Sequence, residues 1–206
     1  MKKEDKIRKG TFSRKTSETD ITVTLELENT EDSSIDAGVP FFEHMLSAMA
    51  RHGRIKVDLK CVGDTEIDDH HSVEDMGICV GQALKEALGK KTGIHRFGEA
   101  TAPMDDALAV VALDISGRSF FRYTGPALQG QVGRYDEELT LEFLRAFADN
   151  GGINLHVSVT SGDNRHHIHE AIFKALGLAL RKAVEIDPLM KGNIPSYGGC
   201  LLHKKQ

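Results

Sequence analysis

The chain has 206 residues, 40% of them hydrophobic and 28% charged, with 26 Lys and Arg against 31 Asp and Glu for a formal net charge of −5. That is enough chain to bury a proper core in one large domain or two small ones, and the absence of a basic stripe argues against nucleic acid or an anionic membrane as partner. No apolar run approaches the ~18 residues of a membrane-spanning helix, the charged start MKKEDKIRKG lacks the apolar stretch of a secretory signal, and Cys61, Cys79 and Cys200 form neither an even set nor a C-x-x-C pair. A reducing cytoplasm is the expected location.

The first periodic stretch, ITVTLEL (21–27), alternates apolar and polar residues and is β-branched, so it reads as a strand. FFEHMLSAMARHG (41–53) has helical spacing, with Phe41, Phe42, Met45 and Met49 expected to face inward and Gly53 as the expected C-cap. IKVDLKCV (55–62) alternates again. From His70 to Gly89, the residues Val73, Met76, Val80, Ala83, Leu84 and Ala87 recur at three- and four-residue intervals and give one apolar helix face. GEATAPM (98–104), punctuated by Gly98 and Pro103, reads as a joint. Beyond it, Ile168, Ile172, Ala175, Leu176, Ala179 and Ala183 repeat the helical pattern.

The chain also repeats itself. Moved along by 96 residues, His70, His71 and Glu74 fall on His166, His167 and Glu170, and Gly81, Ala83, Leu84 and Ala87 fall on Gly177, Ala179, Leu180 and Ala183. With different shifts, GRIKVDLK (53–60) meets GGINLHVS (151–158), GD at 63–64 meets GD at 162–163, and ETDITVTLEL (18–27) meets DDALAVVALD (105–114). The changing offset is what loop insertions between matching elements produce. The expected fold is therefore α+β, with two tandem halves over residues 1–100 and 101–206, each strands–helix–strand–helix. Neither half has much core of its own, so the two are expected to pack as one unit.

The repeated element is H-H-x-x-E, in DDHHSVED (68–75) and DNRHHIHEA (163–171). On a helix, residues three and four apart share a face, so either histidine of a pair can meet the glutamate around one ion. Adjacent residues diverge by ~100°, so His70 and His71 should not grip the same ion. Each motif is then expected to touch two ions, each completed from elsewhere. Imidazole and carboxylate without thiolate suit manganese, iron or zinc better than calcium or magnesium. One H-H pair at a helix start is an ordinary solvated feature; a duplicated H-H-x-x-E in matching context is not. His44, on the helix at 41–53, falls opposite Glu142 in LTLEFLRAFA. The candidate ligand set becomes His44, His70, His71, Glu74, Glu142, His166, His167 and Glu170, four groups for each of two ions.

These residues, with SETDITV, FFEHML, RHG, GDTEIDDHHSVEDMGICVG, GIHRFG, PMDDALA, DISGR, HHIHEAIFKALGLALR and IPS in one order over roughly residues 14–202, resemble the imidazoleglycerol-phosphate dehydratase family of histidine biosynthesis, in its monofunctional form. The resemblance implies halves that are each a four-stranded sheet with two helices on one face (ribosomal protein S5 domain 2-like). It implies two manganese ions (Mn2+) per active site, held by the eight positions above, and sites built between subunits of a large octahedral homo-oligomer. It implies dehydration of imidazole glycerol phosphate to imidazole acetol phosphate. The proton to be lost has no neighbouring carbonyl to acidify it; two Lewis-acidic ions holding the ring as an imidazolate would drive out the hydroxyl on the carbon next to the ring.

In that reading Glu18 contacts the glycerol part and serves in acid–base work, alongside His44, His70, Glu74, His166 and Glu170 at the reacting centre. His52 assists, Arg96 and Arg118 match phosphate-contacting arginines, and Lys174 and Ser196 complete the substrate pocket. Two positions depart from the family pattern: Gly198 stands where a phosphate-binding lysine is expected, and Glu142 where many members have histidine. They keep a second reading open, a metal-binding homologue with weak or no dehydratase activity. A third is a structural two-repeat protein whose histidines take up adventitious zinc.

Overall fold

The computed structural model of the chain describes residues 7–190 and 192–195. The first sheet is built from β1 (Lys9–Lys15), β2 (Thr19–Leu27), β3 (Ser34–Asp36) and β4 (Ile55–Gly63), with α1 (Pro40–Gly53) before β4 and α2 (His70–Leu88) after it. The second is built from β5 (Phe97–Met104), β6 (Ala107–Asp114), β7 (Phe120–Thr124) and β10 (Asn154–Ser161), with α3 (Leu139–Gly151) before β10 and α4 (Arg165–Val184) after it. A small hairpin of β8 (Gln131–Val132) and β9 (Tyr135–Asp136) precedes α3 in the second half. The strand orders, β1-β2-β4-β3 and β5-β6-β10-β7, are the same path walked twice. In each sheet the third strand of the half returns parallel to its neighbour and the other pairs are antiparallel.

Alternation in the strands decides which face is covered. Ile21, Val23, Leu25 and Leu27 of the first sheet point inward and are buried, as do Ala109, Val111 and Leu113 of the second, followed by Ile115. Lys9, Thr11, Ser13 and Lys15 point out to solvent. α2 lies across β1 and β2, and α4 across β5 and β6; α2 then packs on α3 of the other half, and α1 on α4. The helices are thus the inner layers between two sheets, and their buried faces join into a single hydrophobic cluster. Residues of both halves contribute to that cluster.

Three details differ from expectation. GEATAPM is not a joint: it forms most of β5, and Pro103 is tolerated there because β5 is an edge strand. The burial pattern matches Ile21 with Ala109 and Leu27 with Ile115, so the structural partner of Glu18 is Asp106 rather than Asp105; a slip of one residue would turn the strand inside out. A β-bulge between Val159 and Ser161 supplies the extra residue that separates the GD match from the strand match. Gly53, finally, is the last residue of α1, and the left-handed C-cap is Arg54 at φ 51° and ψ 45°. Gly53 instead belongs to the α1–α4 crossing, where a Cβ on Gly177 would lie 2.3 Å from the Met49 carbonyl oxygen and 2.9 Å from the Gly53 nitrogen.

Candidate metal centre

Among the described residues, one trio of metal-capable side chains converges: His44, His166 and Glu170, whose ligand atoms all lie within 4.8 Å of one another. The α1–α4 crossing makes it. His44 comes from α1, and His166 and Glu170 from one face of α4, four residues apart. Glu170 Oε2 lies 3.5 Å from His44 Nε2 and 3.2 Å from His166 Nε2, while Oε1 accepts from Lys174 Nζ at 2.7 Å. Phe41 meets the His166 ring edge-on at a centroid distance of 5.3 Å and limits its rotation. Burial opposes ionisation of Glu170, but Lys174, His44 and His166 together outweigh it and hold the carboxyl below its ordinary range.

His44 and Glu170 of the trio open onto a cleft of about 710 Å³ that is also lined by Arg51, His52, Arg54, Lys174 and the segment Asn29–Ser33. His52 is half-buried here, and its pKa is lowered by burial and by the Lys174 and Arg51 charges. His52 and Lys174 thus line the same cleft as His44 and Glu170.

The first motif lies on the other helix pair, α2 with α3. At the start of α2, His70 Nε2 is 3.6 Å from Glu74 Oε2, with both side chains nearly half exposed. His71 turns away, its ring at 89° to that of His70, and its Nδ1 is 3.0 Å from Asp64 Oδ2. The Asp64 hydrogen bond raises the His71 pKa, and Glu18, exposed on the β1–β2 turn, adds to that field. His167 repeats the arrangement: its Nδ1 is 2.6 Å from Asp106 Oδ1. Asp106 Oδ2 also accepts from the Asp163 and Asn164 backbone N–H groups at 2.6 and 2.9 Å. The Asn164 N–H, His167 and the Asp163 N–H hold the Asp106 carboxyl well below its ordinary range. A carboxylate on Nδ1 fixes ring orientation and leaves Nε2 for an ion, the usual outer support of a metal-ligating histidine. Asp64 and Asp106 are functional candidates that sequence reading missed; the only signals were the recurring GD and the carboxylates of PMDDALA.

The remaining expected residues are spread out. Glu142 stands on α3 with its carboxylate 3.9 Å from Arg145. Arg118 is exposed beyond β6. Arg96 is engaged: Nε and one terminal nitrogen donate to the two Asp114 oxygens at 2.6 and 3.0 Å, and the other donates to the Pro195 carbonyl at 2.8 Å. Ser196 and Gly198 lie outside the described residues. One chain thus assembles three of the eight expected ligands and leaves His70, His71, Glu74, Glu142 and His167 outside that trio.

Known proteins share this arrangement of chain. Residues 37–180 match the family profile described as imidazoleglycerol-phosphate dehydratase. The chain is 57% identical over 189 residues to the imidazoleglycerol-phosphate dehydratase of Leptospira biflexa, covering 92% of this chain and 96% of that one. It is 49% identical over 195 residues to that of Oceanobacillus iheyensis, covering 95% and 100%. The crystal structure of the Staphylococcus aureus enzyme superposes with a TM-score of 0.78 at 34% identity, over 87% of this chain and 99% of that one. The Pyrococcus furiosus structure, in complex with (S)-C348, gives 0.78 at 33% over 91% and 99%. With a doubled histidine–carboxylate motif on a twice-walked fold and relatives of this likeness along nearly its whole length, the chain belongs to the imidazoleglycerol-phosphate dehydratase family and is a hydro-lyase.

Proposed function

We propose that the chain dehydrates imidazole glycerol phosphate to imidazole acetol phosphate in L-histidine biosynthesis, in the cytoplasm, using two manganese ions per active site. The observation that carries this reading is the convergence of His44, His166 and Glu170 within 4.8 Å at a cleft lined by His52 and Lys174. Two imidazoles and a carboxylate with no thiolate fit a first-row divalent ion such as manganese. Such an ion, when bound, supplies Lewis acidity toward the substrate's ring nitrogens. The ligands left apart in one chain (His70, His71, Glu74, Glu142 and His167) support a homo-oligomer, octahedral as the family resemblance implies, in which neighbouring copies complete each other's sites. Residues 1–100 and 101–206 then act as two halves of one enzyme unit.

The chain's own residues divide the remaining work. Asp64 and Asp106 hold the second histidine of each pair by Nδ1. Lys174 neutralises one oxygen of Glu170 and reaches the cleft that takes the substrate. Glu18, on an exposed turn within the field of His71, takes or gives the proton as the hydroxyl next to the ring leaves and the next carbon loses its hydrogen. The net loss is one water, and the enol product becomes the ketone. Arg118 is free to meet the phosphate. Arg96, already paired with Asp114, contributes chiefly by anchoring Pro195.

Purified protein supplied with manganese and imidazole glycerol phosphate tests the reading. Turnover is expected, lost on chelation and restored by manganese. Glu170→Ala should lower it ~10³-fold, the equivalent of several kcal/mol of charge stabilisation. Turnover that survives both chelation and Glu170→Ala would overturn the reading, and metal uptake with no turnover would favour the inactive homologue.

A further inference from the structure

The turn that carries Glu18 is tied to the helix that carries the first histidine pair. Asp75, next to Glu74 on α2, is 7% exposed and faces the core. Its Oδ2 accepts from Thr19 Oγ1 at 2.6 Å and its Oδ1 from Arg14 Nε at 3.0 Å. Thr16 Oγ1 in turn accepts the backbone N–H groups of Glu18 and Thr19 at 3.1 and 2.9 Å. Beside this chain of contacts Gly63 lets Ser72 of α2 come close, since a Cβ there would lie 2.0 Å from Ser72 Oγ. Glu18 therefore sits on a turn whose backbone is held from inside through Thr16, Thr19 and Asp75.

The second half of the molecule is an internal control. At the shift that matches the burial of the strands, Arg14 and Thr19 correspond to Ala102 and Ala107, and Asp75 corresponds to Ala171. All three are alanine, and all three are buried, at 3%, 1% and 0% exposure. The same backbone is thus built without any of the polar groups. An ion pair whose arginine is 38% exposed is weak evidence for stability, because solvent screens the exposed partner and desolvation of the buried one offsets most of the attraction. The second half also lacks a free carboxylate at the position of Glu18: its counterpart, Asp106, is occupied by His167 and two backbone donors.

We infer that Arg14, Thr19 and Asp75 form a positioning device that fixes the Glu18 turn relative to α2, and that its purpose is the placement of Glu18 over the histidine pair rather than the stability of the fold. The inference rests on the proposed acid–base role of Glu18, and Asp75 acts only through that turn. A misplacement of about 1 Å at such a group lowers turnover ~10²-fold.

The test replaces the device by the second half's own residues, Arg14→Ala with Thr19→Ala and Asp75→Ala, and separately makes Thr19→Val and Thr19→Ser. The triple variant should assemble, bind manganese and melt at the wild-type temperature or above. Its kcat should fall ~10²-fold with KM little changed, the signature of an interaction used in the transition state. Thr19→Val should lose turnover in the same way, and Thr19→Ser, which keeps the hydroxyl, should restore it. Amide exchange at Glu18 and Thr19 should quicken ~5-fold in Thr19→Val, the loss of one hydrogen bond, while α2 amides stay protected. Wild-type kcat in a folded triple variant or in Thr19→Val overturns the inference. If the wild-type protein shows no turnover, the proposed function fails first, and unchanged exchange at Glu18 and Thr19 in Thr19→Val then overturns the device on its own.

Discussion

The two helices that carry the histidine pairs share a backbone and differ in what lies beneath them. Under α2 a polar cluster joins the buried Thr19 and Asp75 to the part-exposed Arg14, and the matching places under α4 are Ala102, Ala107 and Ala171. On the opposite side the pattern reverses. His169 of α4 is fully buried, with Nδ1 2.9 Å from Thr140 Oγ1 and Nε2 3.3 Å from Glu137 Oε2. Tyr135 joins through Thr140 at 3.0 Å, and Arg165 Nε donates to Glu137 at 2.7 Å. The corresponding residues of the first half are Val73 for His169, Phe42 for Thr140 and Val39 for Glu137, all buried and apolar. Each copy therefore carries one hydrogen-bonded polar network where the other carries hydrocarbon. The lesson is that duplication fixed the backbone while each half chose a different neighbour to hold its histidine helix: the β1–β2 turn in the first, the segment ahead of α3 in the second. The members of both networks survive because each is hydrogen-bonded.

What the halves share should break most severely. A Cβ on Gly10 would lie 2.0 Å from the Ala83 carbonyl oxygen, and one on Gly98 2.0 Å from that of Ala179. Both contacts are strand backbone on helix backbone, so neither can yield cheaply. Gly10→Ala and Gly98→Ala should each destabilise by ~3 kcal/mol or more, equally in the two halves, as read from denaturant midpoints. Unequal losses would show that one half tolerates a looser seat for its helix.

What only the second half has should appear in acid. Burial, against the pull of Glu137, pushes the His169 pKa down to about 4 from its ordinary 6.5. Between those values the unfolded chain binds the proton and the folded chain does not. The stabilising contribution is therefore present above pH 6.5 and lost as pH falls toward 4, by about 3 kcal/mol. In metal-free protein, His169→Val should flatten this part of the stability–pH curve, whereas Thr19→Val in the first half should leave it in place. An unchanged slope in His169→Val would locate the acid sensitivity elsewhere.

The smallest expected difference concerns the carboxylates behind the outer histidines. Asp64→Ala and Asp106→Ala should each weaken manganese binding ~10–100-fold, as measured by competition with a chelator. Asp106→Ala belongs at the upper end, because Asp106 also accepts the Asp163 and Asn164 N–H groups at the entry to α4. Equal losses would mean that orientation of the ring, rather than the turn, is all that Asp106 supplies.

Much of this molecule was legible beforehand for local reasons. Strand alternation, helical spacing and the doubled H-H-x-x-E all reside in residues a few positions apart, so period and composition determined the α+β class and the two-half plan. His70 and His71 do diverge, as helical geometry requires, and His166 meets Glu170 one turn on. The errors lay where register and edges decide. One residue of slip separated Asp105 from Asp106 as the partner of Glu18, and a proline on an edge strand passed for a joint.

Only the tertiary structure decided which of the eight expected ligands meet. His44 joins His166 and Glu170 because α1 crosses α4 at the Gly53–Gly177 contact, a closeness between residues more than a hundred positions apart that no periodicity encodes. It also decided that Arg96 is tied to Asp114, that Asp64 and Asp106 stand behind His71 and His167, and that Asp75 and His169 face inward. Sequence by itself determined the kinds of group and their local faces, since those follow from backbone geometry; their partners depend on how two sheets close over four helices, and that is set by non-local burial.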